Sequence, residues 1–344
     1  MCQPVSKAKV GIINVTGYAG VELARLLYPH PGVELASITG RSAAGQKLGD
    51  VFPHLASIDL TIEAELGDVD IAFSAMPHKE SAQVIIPLVK QGVRVIDISA
   101  DFRLKDAADY PAWYGFAHPA PQLLQESVYG LTELHRSEVP SARIVANPGC
   151  YPTGAILALA PAVKEGLIEP DIIVDSKSGV SGAGRTLSLQ THFPEVNEDV
   201  SAYALEGHRH LPEIIQELKL LRQGTSPKVT FIPHMIPMTR GILSTCYAPL
   251  VKPIKKEEVK QLYLDFYKGE PFVKVVASPP HTKYTWGNNM CLVYPTIDWR
   301  TNRLIAISGL DNLVKGAAGQ AIQNMNLMLS LPEATGLDTF AIYP

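Results

Sequence analysis

The alternation of short apolar runs with helical patterns over the first 150 residues is the feature that most restricts the fold. The first apolar run covers residues 10–15, and a helical pattern follows over 21–27. Further apolar runs of strand length lie at residues 34–39, 70–76, 93–99 and 143–146. Strands that alternate with helices form a parallel sheet covered on both faces. The first half therefore predicts an α/β fold with a Rossmann-type doubly wound parallel sheet.

A glycine turn joins the first predicted strand to the first predicted helix. Glycines at such a turn let a pyrophosphate approach the free N–H groups of the helix N-terminus. The expected cofactor contacts of this turn are Thr16, Gly17, Tyr18, Ala19 and Gly20. A tight βα turn that binds no ligand is the alternative interpretation of the same residues.

The end of the second predicted strand distinguishes between the two nicotinamide dinucleotides. NAD-binding proteins usually place an acidic residue there, which binds the ribose 2′-hydroxyl. Here Arg41 and Ser42 follow the strand, and a guanidinium and a hydroxyl suit a 2′-phosphate. These residues predict NADP (NADPH) as the cofactor, and a solvated surface arginine is the alternative.

Polar residues and a proline follow the carboxyl ends of two later strands, where doubly wound sheets bind their ligands. Pro77 and His78 follow one strand, and Ser99 and Arg103 follow the next. We expect Pro77 and Ser99 to contact the cofactor. Arg103 could clamp a carboxylate or phosphate, and His78 either fills its turn or contacts the ligand.

The length of the chain and the pattern of its second half predict two domains. A chain of 344 residues exceeds one ordinary core. Residues 1–149 form the expected NADP-binding domain, and residues 150–313 the expected catalytic, substrate-binding and oligomerisation domain. Few helices separate the later strands, which predicts an α+β domain with a mostly antiparallel sheet. A last helix, over about residues 314–344 with Asn312 as its N-cap, should dock back on the first domain.

Cys150 directly follows a Pro-Gly turn and precedes a run with helical spacing over residues 155–163. Pro152 suits the first turn of a helix, where a missing N–H costs nothing. The thiol is therefore expected at a helix N-terminus, which lowers a thiol pKa and offers N–H donors to an oxyanion. Cys150 is a candidate nucleophile, and a buried structural cysteine is the alternative.

Two polar segments of the second half are candidates for substrate binding and proton transfer. A glycine-rich loop predicted over residues 177–185 carries basic residues at both ends and could bind an anion. His208 and His210 open a helix, and their spacing does not fit two metal ligands on a helix. We expect one of them to be the general acid–base beside Cys150. His210 is slightly preferred because it lies nearer the helix start.

Composition excludes several classes of partner. The net charge of -4 gives no reason to expect nucleic acid or an anionic membrane surface. The four cysteines, Cys2, Cys150, Cys246 and Cys291, follow no metal or disulfide spacing, which indicates a reducing compartment. Residues 1–9 contain no apolar targeting segment, and no stretch is long enough to span a bilayer. A cytoplasmic protein without a metal is therefore expected.

Six segments together resemble the semialdehyde dehydrogenase family, and within it the arginine-pathway branch. The segments are residues 17–20, 99–104, 147–153, 177–185, 207–210 and 311–320, and the resemblance spans essentially the whole chain. It implies Cys150 as the nucleophile, the His208 and His210 pair as the source of the acid–base group, and NADPH as the cofactor. It also implies a homo-oligomer, a dimer or a tetramer. Asn14 departs from the pattern, because the family commonly has a glycine there.

The same resemblance implies further ligand contacts and a reaction. Gly182 and Asn312 are implied cofactor contacts. The implied substrate contacts are Arg103, Asn147, Ser181, Arg185 and Arg209. The implied reaction reduces N-acetyl-γ-glutamyl phosphate to N-acetylglutamate 5-semialdehyde through a cysteine thioester. A carrier-linked aminoadipyl-phosphate reductase of lysine biosynthesis and a non-catalytic dinucleotide-binding sensor are the alternatives.

Overall fold

The structure is a computed structural model that describes residues 7–344, and the chain divides into two compact units. The first unit comprises the chain up to Pro148 together with Ala317–Asp338. The second unit comprises Gly149–Gly316 and Thr339–Pro344. In the part of the chain that the structure describes, none of the helices has the length and apolar character needed to cross a membrane.

The first unit is built around a seven-stranded sheet in which every pair is parallel. Its strands are β1 Ala8–Ile13, β2 Val33–Thr39, β3 Ile62–Glu63, β4 Ile71–Ser74, β5 Arg94–Asp97, β6 Val128–Tyr129 and β7 Ile144–Ala146. The helices between them are α1 Tyr18–Leu27, α2 Leu48–Val51, α3 Ser81–Lys90, α4 Asp109–Tyr114, α5 Pro121–Glu126 and α6 Thr132–His135. The strand order β3-β2-β1-β4-β5-β7-β6 confirms the predicted doubly wound sheet.

The central strands of this sheet are buried on both faces. Ile12, Phe73 and Ile96 are each 0% exposed, and all four residues of β4 are buried. Helices that cover both faces of a parallel sheet leave no polar side, so its strands read as continuous apolar runs. Burying each such side chain stabilises the fold by roughly 1.5–3 kcal/mol. This burial is the reason that sequence alone predicted these strands.

The second unit contains a seven-stranded mixed sheet with the order β12-β13-β14-β11-β8-β10-β9. Its strands are β8 Asp171–Gly179, β9 Ser201–Ala202, β10 Lys228–Ile236, β11 Ile242–Pro249, β12 Val273–Val275, β13 Cys291–Asp298 and β14 Arg303–Leu310. Its helices are α7 Cys150–Lys164, α8 Phe193–Val196, α9 Leu211–Leu221 and α10 Lys256–Phe266. Only the β8–β10 and β12–β13 pairs of these described strands are parallel, which confirms a mostly antiparallel sheet.

Helix α7 covers one face of the second sheet and is the central helix of its unit. Its residues from Tyr151 to Val163 are all buried, as expected of a helix that is apolar on every side. Ser308 donates a hydrogen bond to the Gly154 carbonyl at 2.8 Å, which joins β14 to the helix. Tyr263 of α10 donates to the Ala158 carbonyl at 2.7 Å.

The segment after β14 differs from the sequence prediction in its cap and in its first turn. Asp311 Oδ1 accepts the N–H groups of Leu313 at 2.8 Å and Val314 at 3.3 Å, so Asp311 is the cap and the assignment of Asn312 was wrong. The chain then forms a π-helix over Val314–Ala318 before the helix α11, Gly319–Met328. Helix α11 belongs to the first unit, where Arg94 Nη1 donates to the Met328 carbonyl at 2.7 Å. The predicted end near residue 344 was wrong, because α11 ends at Met328 and Thr339–Pro344 belongs to the second unit.

Candidate active site

Cys150 is the first residue of α7, and its side chain is half-buried. Gly149 precedes it in an extended conformation and makes no side-chain cap. The N–H groups of a first helical turn have no partner within the helix, so they point out of the turn that carries the thiol. Together with the positive end of the helix dipole, they favour a thiolate and an oxyanion at this position.

Gly316 packs directly against Cys150. A Cβ added at Gly316 would lie 2.7 Å from Cys150 Cβ and 3.2 Å from its Cα, so only glycine fits. Gly316 lies within the π-helix, and its N–H donates to the Asp311 carbonyl at 2.9 Å. π-Helical turns are frequent at functional sites. Here the turn brings bare backbone against the candidate nucleophile.

His208 and His210 lie together at the start of α9, with ring centroids 4.7 Å apart. The His210 backbone N–H donates to His208 Nδ1 at 3.1 Å, which places the proton of a neutral His208 on Nε2. Burial, with a smaller effect of the Arg209 charge, lowers the pKa of His208 to about 4. His208 is therefore neutral at pH 7, and one of its two ring nitrogens holds the backbone.

Tyr151 places both histidines beside the start of α7. Its ring centroid lies 5.8 Å from that of His208 and 5.9 Å from that of His210, in edge-on contacts. The Tyr203 hydroxyl donates to the Tyr151 hydroxyl at 3.1 Å, and Tyr151 donates to the His234 carbonyl at 3.3 Å. Burial raises the pKa of both tyrosines, so both hydroxyls stay neutral. The sequence did not predict that Tyr151 and Tyr203 pack around the histidine pair.

Glu213 is a second site residue that sequence reasoning missed. It is fully buried in the first turn of α9, and its Oε1 accepts the Gly149 N–H at 2.7 Å. The only sequence signal was an acidic residue three positions after His210. Such a residue ordinarily indicates a cap of its own helix, so a contact with Gly149, 64 residues away, gave no local signal.

The loop predicted over residues 177–185 is shorter and less open than expected. Strand β8 continues through Gly179, and a 3₁₀ turn follows over Val180–Ala183. The N–H groups of Gly179, Val180 and Ser181 donate to backbone carbonyls of residues 238–241 at 2.9–3.2 Å. These donors already have partners, so the prediction of an anion-binding nest was too broad. Lys177 pairs with Asp175 at 2.6 Å.

Asn312 and Ser181 bond to each other within the second unit. Asn312 Nδ2 donates to Ser181 Oγ at 2.9 Å, and its Oδ1 accepts the Gly241 N–H at 2.8 Å. Both side chains are buried. The expected ligand contacts Gly182, Arg185 and Arg209 are exposed, and their roles stay predictions.

The structure of the glycine turn explains why Asn14 can stand where the family commonly has a glycine. Asn14 has φ 66°, a left-handed conformation that glycine and asparagine adopt most readily. Its Nδ2 donates to the Ala75 carbonyl at 2.8 Å, which holds the turn. Gly20 is required by close packing, because a Cβ there would lie 2.5 Å from the Asn14 carbonyl oxygen. Asparagine therefore takes the backbone conformation expected of glycine at this position.

Neither the backbone conformation of Gly17 nor its packing within the protein requires a glycine. It is the N-cap of α1 with φ -80° and ψ 161°, a conformation open to any residue. An added Cβ would meet nothing closer than Asn14 Nδ2 at 3.7 Å. The first turn of α1 carries no acidic side chain. A bare helix N-terminus without acid fits the approach of a pyrophosphate, so the turn Thr16–Gly20 suits a dinucleotide.

Arg41 and Ser42 lie in a short 3₁₀ turn directly after β2 and Gly40. Both are exposed, and the Arg41 side chain pairs with Glu80 at 2.8 Å. An exposed ion pair contributes only about 0–1 kcal/mol, so a phosphate could replace Glu80 at little cost. The position of Arg41 at the carboxyl end of β2 is the one that contacts the ribose in doubly wound sheets.

Ser99 is held by a buried carboxyl that sequence reasoning did not identify. Asp97, the last residue of β5, is fully buried and accepts the Ser99 hydroxyl at 2.7 Å and the Ser81 hydroxyl at 2.7 Å. Burial, followed by the nearby Asp101 charge, raises the pKa of Asp97 to about 7. The Ser99 hydroxyl proton is thus engaged and its oxygen accepts the Asp101 N–H at 3.1 Å, so its predicted contact with the cofactor stays a prediction. Pro77 is exposed at the end of β4.

Arg103 and Asn147 support each other beneath the turn that leads to α7. Arg103 is buried and donates to the Asn147 carbonyl and to the Ile98 carbonyl, each at 2.8 Å. Asn147 is fully buried, and its Nδ2 donates to the Ala317 carbonyl at 3.1 Å. Both side chains therefore hold the backbone through these hydrogen bonds. Their contact with a substrate stays a prediction.

Metal-binding and disulfide chemistry have no site among residues 7–344. No group of three or more His, Cys, Asp or Glu residues is arranged to hold a metal ion in this part of the chain. Cys246 and Cys291 are fully buried in the second sheet and form no disulfide. Burial raises the pKa of Cys246, which makes it unreactive.

Comparison with known proteins connects both units to one family. The family model described as semialdehyde dehydrogenase, NAD binding domain, matches residues 9–142. The model described as semialdehyde dehydrogenase, dimerisation domain, matches residues 150–312. Among solved structures, aspartate semialdehyde dehydrogenase II from Vibrio cholerae covers 95% of this chain and 99% of its own, with a TM-score of 0.72 at 18% identity. The enzyme from Candida albicans, solved with NADP, has a TM-score of 0.69 at 16% identity, over 94% and 99% of the two chains.

Curated relatives match at much higher identity. A Dehalococcoides mccartyi protein named N-acetyl-gamma-glutamyl-phosphate reductase is 62% identical over 99% of this chain and 100% of its own length. A protein of the same name from Pelotomaculum thermopropionicum is 49% identical over 98% of this chain and 99% of its own. With the fold, the glycine turn and the position of Cys150, these matches show that the chain belongs to the semialdehyde dehydrogenase family, among the N-acetyl-gamma-glutamyl-phosphate reductases.

Proposed function

We propose that this protein reduces N-acetyl-γ-glutamyl phosphate to N-acetylglutamate 5-semialdehyde with NADPH, as a step of arginine biosynthesis. The observation that carries the proposal is the half-buried Cys150 at the N-terminus of α7, whose neighbour Tyr151 packs against both histidines at the start of α9. The high identity to relatives with this reductase name supports the same reaction. The non-catalytic sensor is disfavoured because it gives Cys150 and the histidines no task.

The chemistry begins at Cys150. Its thiolate attacks the acyl carbon, the C–O bond to phosphate breaks, and inorganic phosphate leaves with the electron pair. The N–H groups of the first turn of α7 stabilise the tetrahedral oxyanion of this step. The product is a thioester on Cys150. When bound, the reduced nicotinamide supplies the hydride that brings this carbonyl to the aldehyde level.

The histidine pair handles the protons of this sequence. His210 takes the thiol proton before attack and protonates the oxyanion that would otherwise build up on the hemithioacetal. Its carbonyl also accepts the Ile214 N–H at 3.1 Å, which fixes the residue at the start of α9. Collapse of the hemithioacetal breaks the C–S bond as His210 takes back the hydroxyl proton, which releases the aldehyde and returns the Cys150 thiolate. His208 orients the substrate and holds His210 in place through Nδ1.

An assay in the reverse direction tests the substrate. N-Acetylglutamate 5-semialdehyde, phosphate and NADP should give NADPH absorbance with the wild-type protein. The aminoadipate analogue, with one more methylene, should give a kcat/KM at least about 10-fold lower, since a misfit of one methylene is worth about 1–3 kcal/mol. A preference for the longer analogue would assign the protein to the lysine-pathway reaction. Cofactor binding without turnover of either aldehyde would assign it as a sensor.

NADP rather than NAD is the proposed cofactor, because Arg41 and Ser42 follow β2 where NAD-binding proteins carry an acid. Arg41→Ala should weaken NADPH binding by ~1.5–3 kcal/mol, the scale of a hydrogen bond to a charged group, and leave NADH binding unchanged. Fluorescence titration with both cofactors measures the difference. Lys47→Ala is the matched control, because it removes another exposed cation, one that pairs with Asp59 at 2.8 Å. Equal losses for NADPH and NADH in Arg41→Ala would contradict a 2′-phosphate contact.

We also propose a homodimer formed through the face of the second sheet opposite α7. Strands β8, β11 and β14 alternate fully buried residues with half-buried ones, and the register places the half-buried ones in cross-strand rows. One row contains Ile173, Tyr247 and Ile305. A half-exposed apolar row of this kind, on a sheet face that also carries polar residues, suits an association surface. The matching family model is described as a dimerisation domain, which favours a second copy of this chain as the partner.

The mass of the protein in solution tests this interface. Ile305→Asp should convert a dimer, or a larger oligomer, to a lower mass in light scattering, because it places charges in the centre of the buried face. Leu220→Asp is the control, since Leu220 is 62% exposed on α9 and lies outside that face. A wild-type mass retained by Ile305→Asp would contradict the proposed surface.

A further inference from the structure

Glu213 joins the starts of the two helices that carry the candidate catalytic residues. Its carboxyl oxygen Oε1 accepts the Gly149 N–H at 2.7 Å, and its side chain is fully buried. Gly149 is the N-cap of α7 and directly precedes Cys150. Glu213 lies in the first turn of α9, three residues after His210. This hydrogen bond therefore connects the backbone next to the nucleophile with the helix that begins at the histidine pair.

This contact replaces the one that a glutamate in this helical position normally makes. A glutamate three residues after an N-cap usually accepts the N-cap N–H of its own helix. In α10, Glu258 does so and accepts the Lys255 N–H at 2.9 Å. In α9 the N-cap is His210, and its N–H donates to His208 Nδ1 instead. The side chain of Glu213 is thus released from capping and reaches α7.

The Glu213 carboxyl is fully buried, so its hydrogen bonds must replace those it would make with water. Removing a carboxylate from water is costly unless it receives strong hydrogen bonds. A 2.7 Å bond to a backbone N–H at a helix N-terminus is such a bond, because the helix dipole favours an anion there. The Gly149 carbonyl is held from within α7 by the N–H and the hydroxyl of Thr153, at 3.0 and 2.9 Å, whereas Glu213 holds its N–H from α9.

We propose that Glu213 is a positioning residue that fixes Cys150 relative to His210. The inference rests on the proposed thioester reaction for its effect on turnover, and on the hydrogen bond alone for its effect on the thiol. A displacement of a reacting group by about 1 Å can lower a rate by about 10². Losing the bond should therefore reduce kcat more than substrate binding.

Two conservative variants of Glu213 separate the hydrogen bond to Gly149 from the charge of the side chain. Glu213→Gln keeps the length and an acceptor oxygen, whereas Glu213→Asp keeps the charge but is one methylene too short to reach Gly149. We expect Glu213→Asp to lower kcat about 30–100-fold with KM within about threefold of wild type, because positioning acts in the transition state. Glu213→Gln should stay within about 10-fold of wild-type kcat. Glu217→Asp and Glu217→Gln are matched controls, since Glu217 is also buried on α9 and contacts Gln216.

The second readout does not depend on the substrate. The rate of iodoacetamide alkylation of Cys150, followed by mass spectrometry of its peptide, should fall about 10-fold in Glu213→Asp, because the thiolate loses its aligned helix N-terminus. It should stay near wild type in Glu213→Gln and in both Glu217 variants. This pattern in a protein that does not reduce the acyl phosphate would support the positioning role and refute the proposed reaction.

Two results would overturn the positioning role. One is a Glu213→Asp variant that stays within threefold of wild type in alkylation and, where the wild type turns over, in kcat. The other is a Glu213→Gln variant that falls as far as Glu213→Asp in these readouts, because the hydrogen bond would then not be the cause. Thermal unfolding of the two Glu213 and the two Glu217 variants shows whether a lower rate comes from a less stable fold or from a displaced Cys150.

Discussion

Cys150→Ser should lower kcat by at least ~10³-fold while NADPH still binds with wild-type affinity. A serine hydroxyl is un-ionised at pH 7, and the helix N-terminus that stabilises a thiolate cannot make it comparably nucleophilic. The residual rate would come from binding and from the N–H groups at the start of α7, as in other enzymes that lack their nucleophile. Cofactor binding should persist because the candidate dinucleotide turn belongs to the first unit.

The control for this variant is another cysteine of the same unit. Cys246 is fully buried in β11, and Cys246→Ala removes only the sulfur of a small side chain while Cys150 and its helix N-terminus stay unchanged. Its kcat should remain within about threefold of wild type, since only the volume of one sulfur is lost. Stopped-flow turnover and NADPH fluorescence titration measure the two quantities. Near-normal turnover in Cys150→Ser would contradict a covalent mechanism.

His210→Asn should lower kcat by about 10²–10⁴-fold, the range that general acid–base catalysis contributes. His208→Asn should change mainly KM, because Nδ1 of His208 already accepts the His210 N–H and its ring orients rather than transfers. Asparagine can still accept that N–H through its side-chain oxygen, so the local backbone should persist. The two variants thus separate proton transfer from orientation within one pair of rings.

The dependence of kcat on pH also distinguishes His210 from His208, because protonation of His208 occurs only in acid. The pKa of His208 lies at about 4, below its ordinary value, because burial disfavours the imidazolium. His208 therefore gains its proton only as the pH falls through about 4, and it cannot produce a kinetic limb near neutrality. A limb of the kcat profile that is lost in His210→Asn and kept in His208→Asn would assign the proton transfer to His210. If both variants keep the wild-type kcat and profile, the proton is handled elsewhere and the pair is structural.

The fold of the first unit could be predicted because its signals are local. Buried parallel strands read as continuous apolar runs, and the glycine turn after β1 marks the first helix. Cys150 was predictable for the same reason, since a Pro-Gly turn and Pro152 mark the start of α7 within a few residues. The left-handed Asn14 looked like a departure in the sequence and is a conformational equivalent in the structure.

The features that sequence reasoning missed depend on distant contacts or on unusual turns. The extension of β8 through Gly179 is stabilised by pairing with β10 and β11, which a glycine- and serine-rich stretch does not suggest. The π-helix after Asp311 inserts a turn that helical periodicity cannot reveal. The bond from Glu213 to Gly149 and the network around Asp97 join residues far apart in the chain. The two candidate helices were predictable, and the bond that joins them was not.

The most direct test of the central claim is to trap the acyl group on Cys150. The protein is mixed with N-acetyl-γ-glutamyl phosphate without NADPH for the time that a few turnovers of the complete reaction would take. It is then quenched in acid and examined by intact-mass and peptide mass spectrometry. We expect one N-acetylglutamyl group per chain, on the peptide that contains Cys150, with release of one phosphate. A quenched wild-type protein that reduces the substrate when NADPH is added, yet carries no acyl group on Cys150 without it, would contradict the account.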